Sequence, residues 1–282
     1  MIKCLLIGKE SELEKYSISL TQSKYFKSVE RYIIADNSKL SIDFCALENY
    51  DALVLAGVLK EPFPFFSASI KHGKNLYFID QPELRNSDIA KLEQLNDESG
   101  CLIFPEFIEL NHPLVEDFIK IEPKQLHYRY TKSLAGKKDI RLSLITALGF
   151  LSLLSPMPVK KIDVSTIETT LSGRPSIKIR LKMYDSSVCQ IMLDIDNENE
   201  HRIVIESAKG NFNFNLTENY LENAHGSKFQ SEEATDKILL DRTLNSFAMN
   251  IILNTKPVFS FHHYLSVINL IKKIENILKN SF

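Results

Sequence analysis

Residues 50–82 read YDALVLAGVLKEPFPFFSASIKHGKNLYFIDQP, and they contain one complete strand–helix–strand unit. The run 52–58 has no polar side chain, which suits a strand buried on both faces rather than one with a wet side. Residues 65–72 carry a helical pattern that ends at Gly73, the residue type favoured where a helix closes in a left-handed turn. A second apolar run follows at 75–79. Two strands joined through a helix by connections this short are parallel neighbours in one sheet.

The same alternation extends in both directions. Residues 2–7 (IKCLLI) form a buried strand ending at Gly8, and 10–20 carry Leu13, Tyr16, Ile18 and Leu20 as an imperfect helical stripe. A second strand covers 29–35 and ends at Asp36. Downstream, 86–99 is a helix with Ile89, Leu92 and Leu95 on one face, capped by Asn86 or Ser87 and ended by Gly100. Residues 101–104 give one more strand. Residues 1–122 are therefore expected to form a doubly wound, parallel α/β domain with helices on both faces of its sheet.

After Pro123 the texture changes. Residues 140–154 make one apolar helix, stopped by Pro156 and Pro158. Period-2 segments follow at 161–170, 176–184, 188–195 and 202–207, and 211–216 (NFNFNL) alternates without a break. Turn residues such as 172–175 (SGRP) and 209–211 (KGN) separate them. The second domain, 123–282, is thus expected to be an open, mainly antiparallel sheet covered by helices. Helices at 238–253 and 264–278 close the chain; the final one belongs to this domain or packs back on the first.

Composition narrows the function classes. With 44% apolar and 25% charged residues the 282-residue chain can bury a substantial core. A net charge of −2 gives no electrostatic case for nucleic acid or an anionic membrane. The apolar run 142–154 is broken by Ser143, Thr146 and Ser152 and is too short to cross a bilayer. Cys4, Cys45, Cys101 and Cys189 are widely spaced in apolar contexts with no CxxC pair, so reduced thiols are expected and a metal site is not. Met1-Ile2-Lys3 leads directly into a strand without a signal peptide, and the expected compartment is the cytoplasm.

Several local patterns resemble the Gfo/Idh/MocA family of NAD(P)-dependent oxidoreductases. The family run D-A-V-x-I-A-T-P is similar to Asp51-Ala52-Leu53-Val54-Leu55-Ala56-Gly57-Val58, and A-G-K-H-V-x-x-E-K-P to the stretch from His72-Gly73-Lys74 through Asp80-Gln81-Pro82. The strand leading to R-F-x-P resembles Cys101-Leu102-Ile103-Phe104 followed by Glu109-Leu110-Asn111-His112-Pro113. The V-x-G-T-x-G-x-L hairpin resembles residues 203–212, with Ala208-Lys209-Gly210 at the turn, and Lys256-Pro257 precedes a final helix as in the family. The resemblance implies a Rossmann-like domain, an open-sheet second domain, and an NAD or NADP site at Gly8, Ser11, Asp36, Ala56, Gln81 and Pro82. It also implies a homodimer or heteromer formed through the second sheet, to which 211–216 contributes aromatic residues.

The reactive positions depart from the pattern. Dinucleotide binding needs glycines after the first strand so that the pyrophosphate can approach the backbone. Gly8-Lys9-Glu10-Ser11-Glu12-Leu13 keeps only the first. Glu10 and Glu12 stand where the pyrophosphate would lie, and like charges near a surface repel by about 4 kcal/mol per close pair. Ser11 still offers a hydroxyl and Lys9 a counter-charge. Asp36 is placed to hold a ribose diol, or is a solvated strand-end residue. The family lysine of E-K-P is Gln81, which cannot act as a base. Pro82 keeps the supporting turn. Laid without gaps against D-x-G-x-H-x-x-D, residues 139–146 place Ser143 at the histidine and Thr146 at the second aspartate.

This pattern favours an oxidoreductase-like protein with a degenerate cofactor and catalytic site, serving binding, assembly or regulation. The alternative is an active NAD(P)-dependent enzyme on a sugar or other small hydroxy or carbonyl substrate, with Glu106, His112 or Tyr128 moving the proton. A third reading is a small-molecule ligand in the cleft between the domains, near His127-Tyr128-Arg129-Tyr130 and Lys137, Lys138 and Arg141; the bland reading of 127–130 is a strand of the second sheet. His262-His263 reads as structural or surface histidines rather than a metal pair, since adjacent residues point apart. Fold alone does not separate these functions.

Overall fold

Ile2–Gly8 forms β1, and apart from Lys3 its side chains are buried, as a strand covered on both faces requires. The computed structural model describes residues 1–34, 44–81, 83–112, 115, 127–134, 140–155, 157–168, 175–194, 201–207, 210–223, 226–230 and 235–280. The chain divides into two compact units: Met1–Asn111 with Thr235–Leu265, and His112–Ala234 with Ser266–Phe282.

In the first unit β1 is followed by α1 (Glu10–Gln22), β2 (Phe26–Ile33), β3 (Ala52–Leu55), α2 (Pro62–Lys71), β4 (Asn75–Phe78), α3 (Asn86–Ser99) and β5 (Ile103–Pro105). All pairings are parallel, in the order β2-β1-β3-β4-β5. The chain therefore goes from β1 to one neighbour, β2, and then crosses to the other, β3. In open α/β sheets a ligand crevice lies at that reversal, beyond the carboxyl ends of the two strands.

Alternation along the strands sorts the core into two faces. Cys4, Leu6, Val54, Tyr77 and Phe104 share one cluster with Leu13, Tyr16 and Leu20 of α1 and with Leu240, Leu244 and Phe247 of α5 (Asp236–Leu253). On the other face Phe78 packs edge-on to Phe66 of α2 and to Phe261 and Tyr264 of α6 (Phe261–Asn280). Pro62 opens α2 at a position where its missing N–H is harmless, and Gly73 at φ 63° closes it.

In the second unit the described strands form an eight-stranded sheet, from β6 (His127–Ser133), β7 (Val159–Glu168), β8 (Pro175–Met183), β9 (Val188–Asp194), β10 (His201–Ser207), β11 (Gly210–Asn215), β12 (Tyr220–Glu222) and β13 (Lys228–Gln230). The order is β13-β12-β11-β10-β6-β9-β8-β7, antiparallel except where β6 runs parallel to β9. α4 (Ile140–Leu154) packs on β6 and β9, and Arg141 pairs with Glu275 of α6 at 3.0 Å. The fold is thus the expected one, a Rossmann-like parallel sheet followed by a mainly antiparallel sheet wrapped by helices.

Some local expectations change. The second strand begins at Phe26, three residues before the first β-favouring residue read in the sequence, because it is an edge strand whose Lys27, Ser28, Glu30 and Arg31 are exposed. α3 is capped neither by Asn86 nor by Ser87: Arg85 is the N-cap, and its N–H donates to Asp88 Oδ2 at 3.1 Å. β12 and β13 were not anticipated. The aromatic residues of β11 face inward: Phe214 is fully buried opposite Ile203, while Asn211, Asn213 and Asn215 occupy the other face. Cys4, Cys101 and Cys189 are free thiols, and burial pushes the ionisation of Cys4 and Cys189 far up. Among the described residues no helix is long and apolar enough to cross a membrane, and no group of His, Cys, Asp and Glu is arranged to hold a metal.

Candidate functional site

Two turns follow the carboxyl ends of β1 and β3, the place where this strand order puts a ligand crevice. At the first, a Cβ on Gly8 would lie 3.0 Å from Leu13 Cδ2 and 3.3 Å from the Ala56 carbonyl oxygen. Close packing of β1 on α1 and β3 accounts for this glycine. Ala56 is buried, and its N–H donates to the Ile7 carbonyl at 2.8 Å, extending the sheet by one residue. Lys9 is the N-cap of α1, Ser11 is exposed, and Glu10 and Glu12 place two carboxylates in the first turn.

Glu12 reaches the second turn. A Cβ on Gly57 would collide with Glu12 Oε2 and stand 3.3 Å from Glu12 Cδ. That oxygen is shielded from solvent and has no hydrogen-bond partner among the described residues. Negative charge in the first turn of a helix is favourable, since the free N–H groups there carry about half a positive charge. The same half charge is what a phosphate would use. With Glu10 and Glu12 in place and only Gly8 kept, the groups present are a poor fit to a pyrophosphate.

Gln81 lies in the same neighbourhood and is fully buried. Its Nε2 donates to the carbonyls of Gly57 and Ile79, both at 3.0 Å, and its Oε1 accepts from the Leu59 N–H at 3.0 Å. Two carbonyls facing one end and an N–H facing the other leave a single sensible orientation for the amide. The Gln81 N–H donates to the Tyr264 hydroxyl at 3.0 Å, and that hydroxyl donates to Asp80 Oδ1 at 2.9 Å. The side chain is therefore a clamp between the end of β4 and the turn after β3. Gly8, Ala56 and Gln81 are brought together around Gly57; Asp36 and Pro82 lie outside the described residues.

Ser143 and Thr146 belong to the second unit, on the buried side of α4. Thr146 Oγ1 donates to the Leu142 carbonyl at 3.2 Å, one turn back along its own helix. The three side chains considered as substitute proton carriers are likewise engaged or enclosed. Glu106 accepts from the hydroxyls of Tyr16 and Tyr77, each at 2.6 Å. Burial raises its carboxyl above the ordinary range, although the two tyrosine hydrogen bonds and Lys15 pull the other way. His112 is buried edge-on to Phe214 at 5.1 Å between ring centres, with Nε2 3.2 Å from Asn219 Oδ1. Tyr128 is buried on β6, and burial pushes its hydroxyl well above its usual pKa. His262 pairs with Glu93 at 2.7 Å, while His263 Nδ1 accepts from the Ser260 N–H at 3.2 Å at the start of α6.

The sequence marked Glu12 as a misplaced charge and Gln81 as a lost base. It did not mark Gly57 or Tyr264 as their partners, nor Tyr16 and Tyr77 as those of Glu106. One signal was present: Gly57 stands where the family pattern has threonine, which is a glycine without an obvious turn to explain it.

No family model matches the chain, and no curated protein does. Solved structures do match over nearly the full length. UDP-N-acetylglucosamine 3-dehydrogenase GnnA from Acidithiobacillus ferrooxidans superposes with a TM-score of 0.76 at 12% identity, covering 95% of each chain. A dehydrogenase (MviM) from Clostridium difficile gives 0.73 at 16% identity, covering 98% of this chain and 99% of that one. A Gfo/Idh/MocA family oxidoreductase from Vibrio cholerae gives 0.73 at 11% identity, covering 99% and 100%. At these identities the likeness is one of fold: the chain has the two-sheet architecture of Gfo/Idh/MocA-type oxidoreductases.

Proposed function

We propose that this chain is an oxidoreductase-fold protein without nicotinamide redox chemistry, acting through binding, assembly or regulation. One observation carries the reading. The position where the family pattern has its lysine holds a fully buried glutamine whose amide is committed to the Gly57 and Ile79 carbonyls and the Leu59 N–H. Such a side chain has no free donor to polarise a substrate and no basic group to take its proton. The engagement of Thr146, Glu106 and His112 within the protein supports the same reading.

The assembly partner in this reading is a second copy or an active relative, seated on the open side of the second sheet. That side carries Asn211, Asn213 and Asn215 rather than the phenylalanines of β11, so the contact is polar there.

Titration with NADH and NADPH, followed by nicotinamide fluorescence and by thermal unfolding, tests the reading. The expected result is no saturable signal. A rise of several degrees in Tm at sub-millimolar cofactor would overturn it, since a ligand that binds only the folded state must stabilise it.

A further inference from the structure

Backbone conformation does not explain glycine at position 57. Gly73, Gly100, Gly210 and Gly226 lie at positive φ and Gly57 does not. What a side chain there would meet is the Glu12 carboxylate, whose Oε2 stands where the Cβ would go, so any residue larger than glycine must displace it. The two residues are complementary: the missing Cβ makes the hollow and the carboxylate fills it. They come from the turns after β1 and β3, which flank the reversal of strand order where this architecture places its ligand crevice.

Resting on the reading above, we propose that Glu12 is a built-in occupant of that crevice. Its carboxylate takes the space against Gly57, beside the positive end of α1, that a phosphate-bearing ligand would need. Three observations meet in this assignment. The acid sits in the first turn of a thirteen-residue helix, where negative charge is favoured. Its inner oxygen is sealed from solvent with no hydrogen-bond partner among the described residues, which is costly unless the helix end compensates. And a glycine that no turn requires lies directly against it. Loss of nucleotide binding is then an active exclusion by a side chain and not only an absence of glycines.

The test uses the full chain, with inorganic pyrophosphate and NADH as probes, read by calorimetry and thermal unfolding. Wild type should not respond to pyrophosphate. Glu12→Ala empties the hollow and should bind pyrophosphate at least about tenfold more tightly than wild type, a difference of 1.4 kcal/mol. Glu12→Gln keeps the volume and should stay as weak as wild type; binding as strong as that of Glu12→Ala would overturn occupation in favour of charge repulsion alone. Gly57→Ala provides an independent check, because the three heavy atoms nearest its new methyl all belong to the Glu12 carboxylate. It should lower the unfolding midpoint of wild type and leave that of Glu12→Ala unchanged, the mark of a coupled pair. Glu12→Ala with no gain for pyrophosphate, or equal losses from Gly57→Ala in both backgrounds, would overturn the inference. NADH binding by wild type would instead overturn the reading of the preceding subsection, so the two failures are distinct.

Discussion

Truncating Gln81 to alanine removes both ends of a buried clamp at once. The Leu59 N–H, 3.0 Å from Oε1, loses its acceptor, and the carbonyls of Gly57 and Ile79 each lose a donor at 3.0 Å. Because Gln81 is fully buried, water does not take over these bonds without opening the turn. An orphaned buried N–H costs about 1–3 kcal/mol, and a carbonyl with a second lone pair stands at the low end of that range. The sum is about 3–5 kcal/mol against a total stability of about 5–15 kcal/mol for a folded domain. The bond from the Gln81 N–H to Tyr264 belongs to the backbone and survives the change. Urea unfolding measures the effect as a lower midpoint at an unchanged slope. Gln81→Lys, the change that restores the family residue, should be no better: an ammonium serves the two carbonyls but leaves Leu59 unsatisfied and buries a charge. A loss below about 1 kcal/mol for Gln81→Ala, the size of one ordinary hydrogen bond, would refute the clamp and free the amide for a ligand.

Glu106 makes stability depend on pH in an identifiable direction. Burial raises its folded pKa, so its contribution is full below the unfolded carboxylate value and is lost as pH rises through the folded one; Glu106→Gln should flatten the urea midpoint across that window, and an unchanged slope with pH would exclude the residue as the cause. Gly100→Ala should cost about 1 kcal/mol, since φ is 66° and nothing lies within 4 Å of the added methyl; the loss is conformational alone, and thermal unfolding should show a small drop in Tm without altered secondary structure by circular dichroism.

The legible parts of this chain are those whose signal is local. α3 and α4 were bounded correctly because Gly100 and Pro156 mark their ends and an apolar pattern fills the interval. That the first sheet is parallel followed from alternation of strands with helices and short connections; the order of its strands did not. The beginning of β2 was lost because an edge strand does not need apolar residues throughout. β12 and β13, three residues each, are too short to show a period. The parallel pairing of β6 with β9 joins residue 127 to residue 188, and no pattern within either strand announces it.

For the candidate site the limit was of a different kind. The identities of Glu12 and Gln81 were informative by themselves, since one brings charge to an anion's place and the other removes a base. What these side chains do instead depends on what they meet across turns far apart in the chain, the bare Gly57 for Glu12 and the backbone of residues 57, 59 and 79 for Gln81, and residue types do not encode that. Gln81 read as a loss, but its three amide contacts make it a positive part of the architecture.

The position of β6 has a consequence for how the second unit is put together. β7, β8 and β9 form one ribbon of consecutive antiparallel neighbours, and β10 to β13 form another. No described strand of one ribbon pairs with a strand of the other; only β6 bridges them, parallel to β9 and antiparallel to β10. Each ribbon closes short loops and is entropically ready to form early, whereas seating β6 requires closing the long loop to β9. Of the described strands of this sheet β6 leaves the ribosome first, yet both its neighbours, β9 and β10, are made after it, so its place in the sheet does not exist until they are.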